Sequence, residues 1–133
     1  MVKEVSLPRL KKQGKRRLAE AAGRDAEIMA ADWYTKNGFV ILAHRWRQSV
    51  GEIDLIAATD SLLAFVEVKA RSDFSLAAEA VTLRQRRRIV NAAELALSDH
   101  PEWQRSDIRF DVILVVAGII IPITDAFRAD NTA

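Results

Sequence analysis

Apolar positions set the first element. From about Lys15 the residues Leu18, Ala19, Ala22, Ala26, Met29, Ala30 and Trp33 recur at steps of three and four, the period of one helical face. Asn37-Gly38, with Lys36 in the last turn, predicts the stop, and Gly23 marks a weak point at which a separate helix can start. The period then shortens. Phe39 to Trp46, Glu52 to Ala57 and Leu62 to Lys69 read as three strands, joined by turns at Ser49-Val50-Gly51 and Thr59-Asp60-Ser61. A long helix is expected from about Leu76 to Ser98, with Val81, Gln85, Arg88, Ile89, Ala92 and Ala96 along one side and His100-Pro101 ending it. Arg109 to Val116 is a fourth strand. Ile119 to Ile123 is a fifth, placed at an edge because Pro122 cannot donate to a ladder. Helix, three strands, helix and two strands give an α/β chain with one mixed sheet and helices packed on it.

Length and composition narrow this further. At 133 residues, half of them apolar, the chain has room for a single domain with a real core. We expect that domain over residues 15–128, preceded by a loose basic arm over 1–14, where Pro8 and Gly14 act as breakers, and followed by a tail over 129–133. No cysteine is present, which excludes disulfides, zinc-thiolate sites and thiol nucleophiles. With only His44 and His100 available, any metal would be a hard cation held by carboxylates. The longest apolar run, Val112 to Ile121, is too short to span a membrane. The first residues lack the apolar stretch of a signal peptide, so a cytoplasmic protein is expected.

Charge is distributed unevenly. Residues 1–24 carry eight basic residues against Glu4 and Glu20, so the whole-chain net of +2 hides an acidic remainder. Arg84, Arg86, Arg87 and Arg88 form a second basic cluster on the expected second helix. Basic clusters on an otherwise acidic chain point to a polyanion partner and an acidic site elsewhere. The plainer alternative is a solvated tail and a solvated helix face.

The candidate chemistry lies where charged residues interrupt apolar strands. In FVEVK, side chains alternate, so Phe65, Glu67 and Lys69 share one face and Ala64, Val66 and Val68 take the other. Glu67 and Lys69 then sit roughly 7 Å apart along the strand. In GEIDLIA, Glu52, Asp54 and Ile56 share a face, with Ile53 and Leu55 opposite. If the two strands form a hairpin, Asp54 lies near Glu67. Two close carboxylates repel, and a divalent cation gives both a reason to stay ionised. Mg²⁺ takes one or two carboxylates plus waters and phosphate oxygens, and a neighbouring lysine can orient the attacking water or stabilise charge in the transition state. The alternative is an exposed Glu–Lys pair beside a solvent-facing Asp.

These residues carry a resemblance. GEIDLIA (51–57), FVEVKAR (65–71) and RFDVI (109–113) resemble the YraN-like proteins of bacteria, which look like a branch of the restriction-endonuclease-like nucleases, similar in core to archaeal Holliday-junction resolvases. The resemblance covers about residues 14–128. It implies a restriction-endonuclease-like αβββαβ core. It also implies an active site in which Asp54 and Glu67 are metal ligands, Lys69 is the catalytic lysine and Glu27 is a helix-borne acid reaching over the sheet edge to the same metal. Arg71, Arg109 and Asp111 match further positions of the pattern and Arg47 matches a basic one. Gln85 stands where many relatives carry lysine, and Arg45 where asparagine is common.

The expected function is therefore a Mg²⁺- or Mn²⁺-dependent endonuclease-like protein acting on nucleic acid, DNA ahead of RNA, with branched or damaged DNA as candidate substrates. Lys15, Arg16, Arg47, Arg71, Arg84, Gln85, Arg87 and Arg88 are the expected nucleic-acid contacts. A homodimer would follow the resolvase-like relatives. The rival reading is a nucleic-acid-binding module without turnover, motivated by Gln85. A third is an interaction subunit that pairs through its Ile119 to Ile123 edge. Trp33, Trp46 and Trp103 are expected as packing residues, His44 as a strand histidine without ligand partners, and Asp111 as a structural ion-pair partner of Arg109 or Arg71.

Overall fold

A stripe of small residues lets the first helix lie flat on the sheet. In the computed structural model, which describes residues 8–73 and 81–129, α1 runs from Pro8 to Lys36. Residues 8–14, expected in a loose arm, belong to this helix: Pro8 sits in the first turn, where its missing N–H costs nothing. Gly23 does not divide it. Ala26, Ala30 and Tyr34 are buried at four-residue steps while Ala22 is exposed. The helix stops where expected: Gly38 takes φ +88°, the left-handed conformation that closes a C-terminus, and the N–H of Phe39 bonds back to the Tyr34 carbonyl at 3.0 Å.

Five strands follow among the described residues: β1 (Val40–Gln48), β2 (Gly51–Ala58), β3 (Leu62–Arg71), β4 (Asp107–Val116) and β5 (Ile119–Phe127). They form one sheet in chain order, antiparallel except for the parallel β3–β4 pair. That pair is parallel because α2 (Leu83–Asp99) provides the crossover between them. β5 is an edge strand carrying Pro122, as its sequence requires. α1 covers one face, over Leu55, Ala57, Ala64, Val66, Ile113 and Val115. The other core gathers Ile89, Ala92 and Ala96 of α2 with Ile56, Phe65, Phe110 and Val112. The order of helix, three strands, helix and two strands expected from the pattern is thus present, and with it the αβββαβ core that the resemblance implies. Trp33, Trp46 and Trp103 pack against these two cores.

Two elements depart from expectation. The second helix starts at Leu83, not at Leu76; residues 76–80 lie outside the described residues, and Val81 and Thr82 are not helical. Thr82 sets the start through a capping box. Its hydroxyl accepts the Gln85 N–H at 3.2 Å, and the Gln85 side-chain oxygen accepts the Thr82 N–H at 3.0 Å. The alternation of β2 also breaks. Ile53 joins Ile56 and Ala58 in the core that includes α2, while Leu55 and Ala57 face α1. A strict two-residue period would have put Ile53 with Leu55.

Candidate metal and nucleic-acid site

The break in β2 lies beside the acidic residues. Ladder pairing between β2 and β3 runs from Ala58↔Leu63 to Leu55↔Val66 and goes no further. Beyond it the Asp54 carboxylate takes over as acceptor, receiving the Val68 N–H at 2.8 Å. The hairpin register brings Asp54 and Glu67 together, as the sequence suggested. A cleft of about 330 Å³ opens there, lined by Glu52, Asp54, Glu67, Val68 and Lys69 from the sheet and by Gln85, Arg88 and Ile89 from α2. Gly51 permits this approach of helix and strand. A Cβ on it would stand 3.0 Å from the Arg88 carbonyl oxygen and 3.5 Å from the Ala92 Cβ.

The cleft floor is buried enough to perturb Glu67. Lys69 Nζ lies 3.6 Å from Glu67 Oε2, with side-chain exposures of only 19% and 14%. Burial pushes the Glu67 carboxyl up to about 9, the hydrogen bond and negative charge of Asp54 push the same way, and Lys69 pulls it back without cancelling them. At neutral pH Glu67 therefore keeps its proton, beside the Asp54 carboxylate. A cation between them would replace that proton, and two carboxylates with room for water suit a hard divalent ion. Among the described residues no three carboxylate or histidine side chains stand close enough together to hold a metal, so a cation here would find two carboxylates and would need water or phosphate oxygens for the rest.

Glu27 is not part of this group. Its Oε1 meets Arg45 Nε at 3.0 Å, in a separate surface depression with Arg24, Ile28 and His44. The reason is topological. Ala26, its neighbour on α1, is buried in the core on one face of the sheet, while the acid cleft is closed by α2. Arg45 takes φ +50° and anchors Glu27 at the β1 edge, so the reach over the edge expected of Glu27 ends on a guanidinium.

The expected phosphate contacts also separate. Arg88 lines the cleft. Arg84 and Arg87 are exposed in the first turns of α2. Gln85 lines the cleft as well, but its side-chain oxygen is committed to the cap. Arg47 pairs with Glu52, Nε to Oε1 at 3.4 Å. Arg71 bonds the carbonyl of Ala70 and lines a depression with Asp25 and Met29 of α1, away from the acids. Lys15 and Arg16 lie in the N-terminal half of α1, and their side chains are outside the described set.

Asp111 is structural. It is 1% exposed and accepts four hydrogen bonds: from the Tyr34 hydroxyl, from Arg109 Nε and Nη2 at 2.8 and 2.9 Å, and from the Asp125 N–H at 2.9 Å. The Arg109 pairing follows from two residues sharing a strand face. Tyr34 was not identified from sequence as its partner. Burial drives the tyrosine hydroxyl far above its ordinary value, and the Asp111 charge adds to this. Glu52 was also assigned no role, although it shares the strand face of Asp54.

Known proteins agree with the motif reading at the level of family. The family described as "Uncharacterised protein family UPF0102" matches residues 26–115, which span every residue of the cleft. A UPF0102 protein of Acidiphilium cryptum is 52% identical over 87% of this chain and 91% of its own length. One from Granulibacter bethesdensis is 49% identical over 85% of this chain and 72% of its own, and one from Rhodopseudomonas palustris is 55% identical over 70% and 72%. The chain belongs to the UPF0102 (YraN-like) family.

Proposed function

We propose that this protein is a divalent-metal-dependent phosphodiester hydrolase acting on DNA in the bacterial cytoplasm. The observation that carries this reading is the recessed pair Asp54 and Glu67, lining one cleft with Lys69 at the foot of an arginine-bearing helix. Asp54 and Glu67 are the residues that would hold Mg²⁺ or Mn²⁺. Such an ion supplies Lewis acidity toward a phosphoryl oxygen and lowers the pKa of a bound water. Lys69 is held at the cleft by Glu67, where its ammonium can orient an attacking water and stabilise charge developing on the phosphorus oxygens. Arg88 faces the same cleft and is a donor for the phosphate being cut. Arg84, one turn away along α2, suits a neighbouring phosphate of the strand. Ile89 gives the cleft an apolar wall, which strengthens these charge interactions.

A panel of labelled duplex, single strand, flap, four-way junction and RNA, incubated with Mg²⁺, Mn²⁺ or EDTA, tests this. Cutting that needs metal and disappears in Glu67→Ala supports the hydrolase and identifies the substrate by shape. Salt-sensitive binding with no cutting under any divalent ion supports instead a binding module on the same fold, the reading that an uncharged, cap-bound Gln85 favours.

A further inference from the structure

The acid cleft has three carboxylates on its walls and uses two. Glu52 lines the same cleft as Asp54 and Glu67, yet no three acids are close enough to hold an ion together among the described residues. Glu52 instead pairs with Arg47, directly opposite it in the β1–β2 ladder. This ion pair is poor: one contact of 3.4 Å between side chains that are 64% and 44% exposed. Exposed pairs of this kind contribute little and exchange readily. Guanidinium groups bind phosphate in a bidentate fork, a stronger partner than one long contact to a carboxylate. Asp54 has less freedom, since one oxygen is tied to the Val68 N–H.

We infer that Glu52 is a third carboxylate of the cation site, held off by Arg47 in the free protein and released to it when a nucleic-acid phosphate takes Arg47. The inference rests on the cleft being a cation site. It makes the phosphate backbone part of the assembly of the metal centre: nucleic acid and metal strengthen each other's binding through one exchangeable arginine. Arg47 is then a positioning residue, acting through Glu52.

The test is a double-mutant cycle read by Mn²⁺ binding, followed by electron paramagnetic resonance of the free ion, with thermal melts confirming that each variant is folded. No DNA is present in the first arm. Arg47→Ala is expected to bind Mn²⁺ about fivefold more tightly than the native chain or better, and the gain is expected to vanish when Glu52→Gln is added. An equal gain in both backgrounds means that Arg47 acts only through its charge and overturns the inference, as does no gain in either. In the second arm a short DNA duplex is added. Native Mn²⁺ affinity is expected to rise by more than that of Glu52→Gln, and an equal rise overturns the inference. Asp54→Asn separates the two levels of the argument. Its loss of Mn²⁺ binding supports the cation site whatever Glu52 does, whereas undiminished binding overturns the site and the inference with it.

Discussion

Glu67 ties stability to pH in the metal-free protein. Its carboxyl is raised from an ordinary value of 4.5 to about 9 in the folded chain. An acid raised on folding keeps its proton in the native state while the unfolded chain releases it. Its contribution is therefore complete below pH 4.5 and is lost as pH rises toward 9. Within that window one retained proton changes the unfolding free energy by about 1.4 kcal/mol per pH unit. Between pH 5 and pH 8 this single group thus accounts for a fall of up to about 4 kcal/mol, with Lys69 close by to soften it. The assay is urea unfolding in EDTA at intervals of half a pH unit, on the native chain and on Glu67→Gln. The amide cannot ionise, so the variant should lose most of the downward slope and match or exceed the native chain at pH 8. Mn²⁺ at pH 8 should restore the native chain and leave Glu67→Gln little changed. A native profile that is flat from pH 5 to 8, or a Glu67→Gln profile with the same slope, would refute the protonated Glu67 and its pairing with Asp54.

Three further outcomes follow from other parts of the fold. Asp111→Ala leaves Arg109 and the Tyr34 hydroxyl without their shared acceptor and should cost about 3–5 kcal/mol, against about 1–2 kcal/mol for Tyr34→Phe, both read by denaturant unfolding. Gly51→Ala forces a Cβ to 3.0 Å from the Arg88 carbonyl oxygen; a loss of about 1–3 kcal/mol is expected, with weaker DNA binding because α2 must move from the cleft, measured by melting and by fluorescence anisotropy. Arg84→Ala with Arg88→Ala should weaken DNA binding and lower the slope of log affinity against log salt by about two, and an unchanged slope would show that α2 does not meet phosphates.

Much of this architecture is legible from local pattern. The Asn37-Gly38 stop, the strand positions and the alternation of Phe65, Glu67 and Lys69 against Ala64, Val66 and Val68 all depend on neighbours in sequence, and the structure has them. So does the Arg109–Asp111 pair. The start of α2 was legible as well: Thr82 and Gln85 stand at capping-box spacing, but the apolar period continues upstream and masks it. Other features depend on relations between elements. Ile53 turns out of its period where the β2–β3 ladder ends and the Asp54 carboxylate accepts the Val68 N–H, which no two-residue alternation encodes. Glu27 has the right residue type for the ligand set that the resemblance implies. Its partner Arg45 lies on a bulged edge strand in a left-handed conformation, a feature that β1 does not announce. Tyr34 was missed because its hydroxyl looks like an ordinary helix-surface group until β4 presents a buried carboxylate to it.

The most direct test of the central claim is a single-turnover cleavage rate in Mn²⁺, on whichever DNA the native chain cuts fastest, for the native chain, Glu67→Ala and Glu27→Ala. The account predicts that Glu67→Ala loses at least about a hundredfold in rate, while Glu27→Ala, whose carboxylate serves Arg45, keeps its rate within a few-fold. Cutting that survives Glu67→Ala or persists in EDTA contradicts the metal-dependent hydrolase. Equal loss in Glu27→Ala contradicts the ligand set drawn from the geometry.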